Sequence, residues 1–178
     1  MRSRIFLLLL LALATPSFAG TEITRSAVMA AMNARRADAG LAPLREDARL
    51  DKAAEDRIRD MEELGYWSHI APDGRTPFMW LRLRNYEYRA AGENLAAGFD
   101  TTDLMVLSWM ESDGHRANIL SSSFQDCGIA IIEGSTKGPA NGHSVVVLFG
   151  RSVASDAPQT AAAVKPPSEP GRARVPRR

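Results

Sequence analysis

The chain has 178 residues, with 22 Lys and Arg against 21 Asp and Glu and a formal charge of +1. So even a balance gives no sign of a nucleic-acid partner, whose electrostatic footprint is a strongly basic face. A single cysteine excludes any intrachain disulfide, so the fold has to be held by its core alone.

Arg2 and Arg4 precede an apolar run from Ile5 to Ala14, and Thr15-Pro16-Ser17-Phe18-Ala19 then sets small residues three and one positions before a cut after Ala19. Residues 1–19 read as a secretory signal peptide. The apolar run falls short of the roughly 20 residues that a membrane-spanning helix needs. An exported protein, periplasmic or extracellular and without a membrane span, is expected. Cys127 lies far from the cut, so no lipid-attachment cysteine stands there.

Residues 20–153 are near the commonest size for one domain. They carry 15 Lys and Arg against 19 Asp and Glu, a formal charge of −4. Residues 154–178 are rich in Pro and Ala, show no apolar periodicity and close on Arg172, Arg174, Arg177 and Arg178. That composition predicts a disordered basic tail, able to touch an anionic envelope surface.

Within the domain, Ile23, Ala27, Ala30, Ala31 and Ala34 recur at helical spacing over Thr21 to Ala39, with Gly40 as the stop. Leu50, Ala53, Ala54, Arg57, Ile58, Met61 and Leu64 repeat the pattern over Glu46 to Leu64, and Gly65 supplies a left-handed cap. From Tyr66 to Gly98 the Pro and Gly content predicts irregular backbone, apart from a short helix over Phe78 to Leu83; long irregular segments of this kind carry function. Thr101-Thr102-Asp103 caps a helix that is apolar almost all round through Met110, which predicts central burial. Asp113-Gly114 ends or breaks it, and His115 to Leu120 makes a further turn. Gly128 to Ile132 and Ser144 to Phe149 are β-branched runs that read as adjacent antiparallel strands. Helices first and strands last give an α+β fold.

His69, Glu93 and His115 lie in short polar or Gly-containing segments rather than on apolar helix faces. Two imidazoles and a carboxylate are a minimal kit for metal or proton chemistry, although their spacing matches no local metal motif. His143 follows Asn141-Gly142 and reads as a solvated turn residue. Cys127 reads as a buried small hydrophobe, and Asn94, Arg116 and Asn118 as residues that hold loops together. No G-x-S-x-G or comparable nucleophile motif is present, which argues against covalent hydrolysis.

Asn33-x-x-Arg36, Ser68-His69 before Pro72-Asp73-Gly74, Gly92-Glu93-Asn94-Leu95-Ala96, Trp109-Met110-x-Ser112-x-Gly114-His115-Arg116-x-Asn118-Ile119-Leu120 and Phe124 before Gly128-Ile129 occur in one order over residues 23 to 150. Together they resemble the CAP superfamily (cysteine-rich secretory proteins, antigen 5, pathogenesis-related-one, or SCP-like domains), in its short, disulfide-free bacterial branch. The resemblance implies an α-β-α sandwich with a small antiparallel sheet between helices, and a cleft in which His69, Glu93 and His115 converge. Many members carry a second glutamate where this chain has Ser112, with Glu111 one position earlier. Glu111 joins His115 on one face only if the helix runs on through Gly114.

Three functions follow as expectations. The first is a monomeric binding module whose cleft takes a small molecule, a lipid, an envelope glycan or a divalent metal. The second is a Zn²⁺ hydrolase in which His69 and His115 hold the metal and Glu93 is the catalytic base. The third is a structural or protein-interaction module in which the same residues pin loops.

Overall fold

The computed structural model describes residues 20–134 and 142–156. The signal-peptide reading of residues 1–19 and the tail beyond residue 156 fall outside the described residues.

Helix α1 (Arg25–Asp38) starts where the Thr24 hydroxyl accepts the Ala27 N–H. A two-residue strand β1 (Arg45–Glu46) leads into α2 (Ala48–Leu64), which Asp47 caps and Gly65 closes in the left-handed region at φ 68°. The short helix α3 (Phe78–Leu83) spans the expected residues. It is followed by β2 (Tyr88–Phe99), α4 (Thr102–Glu111), α5 (Asp113–Ile119), β3 (Asp126–Glu133) and β4 (His143–Ser152), with a 3-10 turn over Val153–Asp156.

The strands form one sheet in the order β1-β3-β4-β2, antiparallel except for β1, which pairs in parallel with the start of β3. Strand β4 is central and buried on both faces, as a continuous Val-Val-Val-Leu-Phe run requires. Val145, Val147 and Phe149 face a core shared with Val28 and Met32 of α1 and Met105, Val106 and Trp109 of α4. Val146 and Leu148 face a second core with Leu50, Ala53, Ile58 and Met61 of α2 and Trp80 of α3. This is an α-β-α sandwich of α+β class, with two helical layers separated by the sheet.

Three local expectations change. The segment before Gly98 is regular from Tyr88 onward, because β2 pairs with β4 from Tyr88↔Ser152 to Phe99↔His143. Its Ala- and Gly-rich sequence hides the strand, since neither residue favours strands in isolation and pairing with β4 supplies what propensity lacks. In α1 the buried residues are Val28, Met32 and Arg36, whereas Ala30 and Ala34 are exposed; larger side chains gain more from burial than alanine and turn the helix accordingly. Helix α4 is not centrally buried, because Leu104 and Leu107 are 58% and 46% exposed.

Candidate functional site

Glu93 stands in β2 between Gly92 and Asn94, and its side chain is only 2% exposed. A buried carboxylate needs partners for both oxygens. Arg57, fully buried on α2, donates from Nε to Glu93 Oε2 at 2.9 Å, and His69 Nδ1 lies 2.7 Å from Glu93 Oε1. A carboxylate only accepts, so Nδ1 carries the proton and Nε2 is the free face of the ring. His69 itself is 55% exposed. The three residues thus form a chain from the core to the surface, in which Arg57 offsets the charge of Glu93.

The rest of the Arg57 guanidinium is held by the Tyr66 hydroxyl and the Ser68 carbonyl, and it lies 4.8 Å over the Trp80 ring. Tyr66 donates in turn to Asp60, which pairs with Arg75 at 3.0 Å. Burial, reinforced by the Asp60 acceptor, pushes the Tyr66 phenol up to about 12. Tyr66, Ser68 and His69 are thereby fixed to α2, so the irregular segment carries its histidine on a rigid support.

His115, in the first turns of α5, lies beside His69 with ring centroids 6.5 Å apart, and 6.3 Å from Trp109. Asn94 donates to the His115 carbonyl, and Asn118 donates to the Glu93 carbonyl and to Asn94 Oδ1. These asparagines tie β2 to α5 and hold the two histidines together. Gly92 permits this approach, because a Cβ there would come within 2.8 Å of Phe124 and 3.0 Å of Asn118. The hydrogen bond to Glu93 raises the His69 pKa above 6.5 against the cost of burial, whereas burial, helped by His69, lowers that of His115. The two rings are therefore biased in opposite senses, His69 toward the imidazolium and His115 toward the neutral imidazole.

A hollow of about 350 Å³ opens beside His69, with Ile70, Pro77, Phe78 and Ala91 as apolar lining and Glu93 and Asn118 as polar lining. Larger hollows lie away from the histidines, along α1 and β3.

The structure brings His69, Glu93 and His115 together and leaves Glu111 apart. Helix α4 ends at Glu111, Ser112 is extended at φ −93° and ψ 123°, and α5 starts afresh at Asp113. The break lies one residue before the Asp113-Gly114 pair, so no continuous helical face joins Glu111 to His115, and Glu111 is exposed. Cys127 is buried beside Met29. His143 stands at the start of the last strand, β4, but is half-buried rather than solvated, and its Nδ1 has no hydrogen-bond partner among the described residues. Arg57, which the helical periodicity places on the core face of α2, is not among the site residues expected from the sequence; the signal was an arginine on that face, which demands a buried acceptor.

The donor set is a poor fit for Zn²⁺. Two imidazoles sharing one tetrahedral ion at about 2.0 to 2.1 Å per Zn–N bond bring their centroids to about 5 Å, closer than observed. Glu93 is sequestered, with its side chain 2% exposed and each oxygen already accepting one hydrogen bond. Among the described residues no group of three or more His, Cys, Asp or Glu is arranged to hold a metal ion.

The family model for the CAP, cysteine-rich secretory protein, family matches residues 29–149, which include most of both cores and His69, Glu93 and His115. The chain belongs to the CAP family. Among CAP relatives, the uncharacterized protein YkwD of Bacillus subtilis (strain 168) is 39% identical over 101 residues, 57% of this chain and 39% of YkwD. The chain thus spans well under half the length of that relative. An outer surface protein from Borrelia burgdorferi shares the fold with a TM-score of 0.63 at 22% identity, over 75% of this chain and 98% of that protein. An extracellular protein containing an SCP domain from Bacillus anthracis str. Ames aligns with a TM-score of 0.57 at 25% identity, over 71% of this chain and 40% of that one. No helix of the described residues is long and apolar enough to cross a membrane.

Proposed function

We propose that this protein is an exported CAP-domain binding module whose His69 cleft holds the anionic or acceptor group of a small envelope-derived ligand. One observation carries the reading: Glu93, backed by Arg57, holds His69 Nδ1 and favours the cationic form of that half-exposed ring, beside a small hollow with apolar lining. A charge-assisted hydrogen bond from such a ring is about twice as strong as a neutral one. The apolar lining takes the body of the ligand. His115, whose pKa burial and the neighbouring His69 lower, adds a second polar partner in which the neutral form is favoured.

Binding is favoured over hydrolysis because Glu93 is sequestered and already engaged, where a general base must reach the proton it removes. Export is supported by the N-terminal sequence and by two structural neighbours that are described as an outer surface and an extracellular protein. Action as a monomer remains part of the reading.

N-acetylmuramic acid, a sugar bearing a carboxylate, and N-acetylglucosamine, which lacks it, make a matched pair of probes. Titrated into the protein while the imidazole resonances of His69 and His115 are followed, the acidic sugar is expected to shift both and the neutral one neither. The response should vanish in His69→Ala. Equal responses to the two sugars, or binding unchanged in His69→Ala, would sink the reading.

A further inference from the structure

Strand β3 has an edge that β1 covers only in part. Arg45 and Glu46 pair with Asp126 and Cys127, and the chain then leaves the sheet into α2. The Arg45 N–H bonds the Gln125 carbonyl at 2.9 Å, and the Asp47 N–H bonds the Cys127 carbonyl at 3.0 Å. Odd-numbered residues of β3 therefore turn their backbone groups toward this edge. The next of them, Ile129, is met by a side chain: its N–H donates to Asp51 Oδ1 at 2.8 Å. Asp51 reaches it because Gly128 lets α2 lie directly on the strand, where a Cβ would come within 2.0 Å of the Leu50 carbonyl carbon.

Beyond Ile129 the two-residue repeat aims the Ile129 carbonyl, the Ile131 N–H and carbonyl, and the Glu133 N–H at the same edge. No strand of the described residues pairs there. Two hollows follow this edge. One, of about 500 Å³, lies on the α1 side with Met29, Glu46, Asp51 and Ile129; the other, of about 450 Å³, lies on the α2 side with Glu55, Arg59, Glu62 and Ile132. Arg25 borders both and bridges them through its ion pairs with Asp51 and Glu55.

An edge of donors and acceptors between two hollows has the form of a strand-addition site, in which backbone bonds give affinity and alternate side chains enter pockets on either side. Its charge selects the occupant. Four carboxylates, Glu46, Asp51, Glu55 and Glu62, face two guanidiniums, Arg25 and Arg59, and Met29, Ile129 and Ile132 supply apolar surface. We infer that the Ile129–Glu133 edge of β3 is a second binding site, separate from the His69 cleft, which takes an extended basic and apolar polypeptide segment as an added strand. The segment lies in line with β1, where β1 leaves the sheet.

The test uses the full chain, the peptide acetyl-Val-Lys-Val-Lys-Val-amide and its Glu counterpart, with amide hydrogen exchange as the readout. The Lys peptide should slow exchange at Ile131 and Glu133 by about tenfold or more, and the Glu peptide should not. Ile131→Pro removes an edge N–H while sparing the bonds to β4, and should abolish binding. Glu55→Lys, at a half-buried position outside both cores, should weaken binding about tenfold and keeps the test valid where the proline variant fails to fold. His69→Ala should bind the peptide as the parent does, so failure of the cleft reading leaves this one standing. Equal binding of both peptides, unchanged binding in Glu55→Lys, or protection at Ile131 that appears without peptide as the protein self-associates would overturn the proposal.

Discussion

Arg57 occupies a core position on α2 and its charge is matched only by groups that fold onto it. Removing it leaves Glu93 buried and unpaired, and breaking such a pair costs about 3 to 5 kcal/mol. Arg57→Met should therefore destabilise the domain by that amount in urea unfolding, and adding Glu93→Gln should recover part of the loss. The two histidines respond to pH in opposite senses. His69 has a raised pKa, so its contribution to stability is complete below 6.5 and is lost as pH rises through the folded value. His115 has a lowered pKa; the unfolded chain takes up a proton near 6.5 that the folded ring refuses, so stability falls as pH drops from there toward the folded value. Thermal melts at about pH 5.5 and about pH 8.5 check this. His69→Gln should lose more stability at the lower pH, and His115→Gln should lose less there than at the higher. Glu93→Gln should bring the His69 midpoint back down, read directly by NMR.

Elements owe their positions to a few close approaches. At Gly128, α2 lies against β3 with no room for a methyl group, and the obstructing atoms are backbone. Overpacking costs about 1 to 3 kcal/mol and more where the neighbour cannot yield, so Gly128→Ala should fall at or above the top of that range in chemical denaturation. Helix caps offer a contrast. Asp47 accepts the Arg49 N–H at 2.9 Å, whereas Ser112 caps α5 without a side-chain hydrogen bond. Asp47→Ala should cost about 1 kcal/mol and Ser112→Ala clearly less, by the same measurement. The extended Ser112 also explains why Glu111 and His115 part company, since it resets the helix direction between them.

At the scale of the whole molecule, β4 is the shared wall of both cores, so neither helical layer keeps its apolar face covered once β4 is lost. The domain should unfold in one transition, with tryptophan fluorescence and far-ultraviolet circular dichroism coincident. Val147→Ala, on the α1 side, and Val146→Ala, on the α2 side, should each shift that single transition. Two separated transitions in either variant would contradict it.

Much of this was written in local patterns. The spacing of Leu50, Ala54, Ile58 and Met61 specified α2, Gly65 its end, and the Val-Val-Val-Leu-Phe run a strand antiparallel to its neighbour. The ordered motifs around His69, Glu93 and His115 indicated the family and pointed to these three as candidate site residues. These features are legible because each depends on neighbours within a few positions. What the tertiary structure decided depends on distant partners: that an Ala- and Gly-rich segment becomes β2 by pairing with β4, that α1 buries Val28 and Met32 in place of its alanines, and that α4 leaves two leucines exposed. It also decided the chemistry, because only the folding of β2 against α2 brings Arg57 to Glu93 and so biases the two histidines in opposite senses.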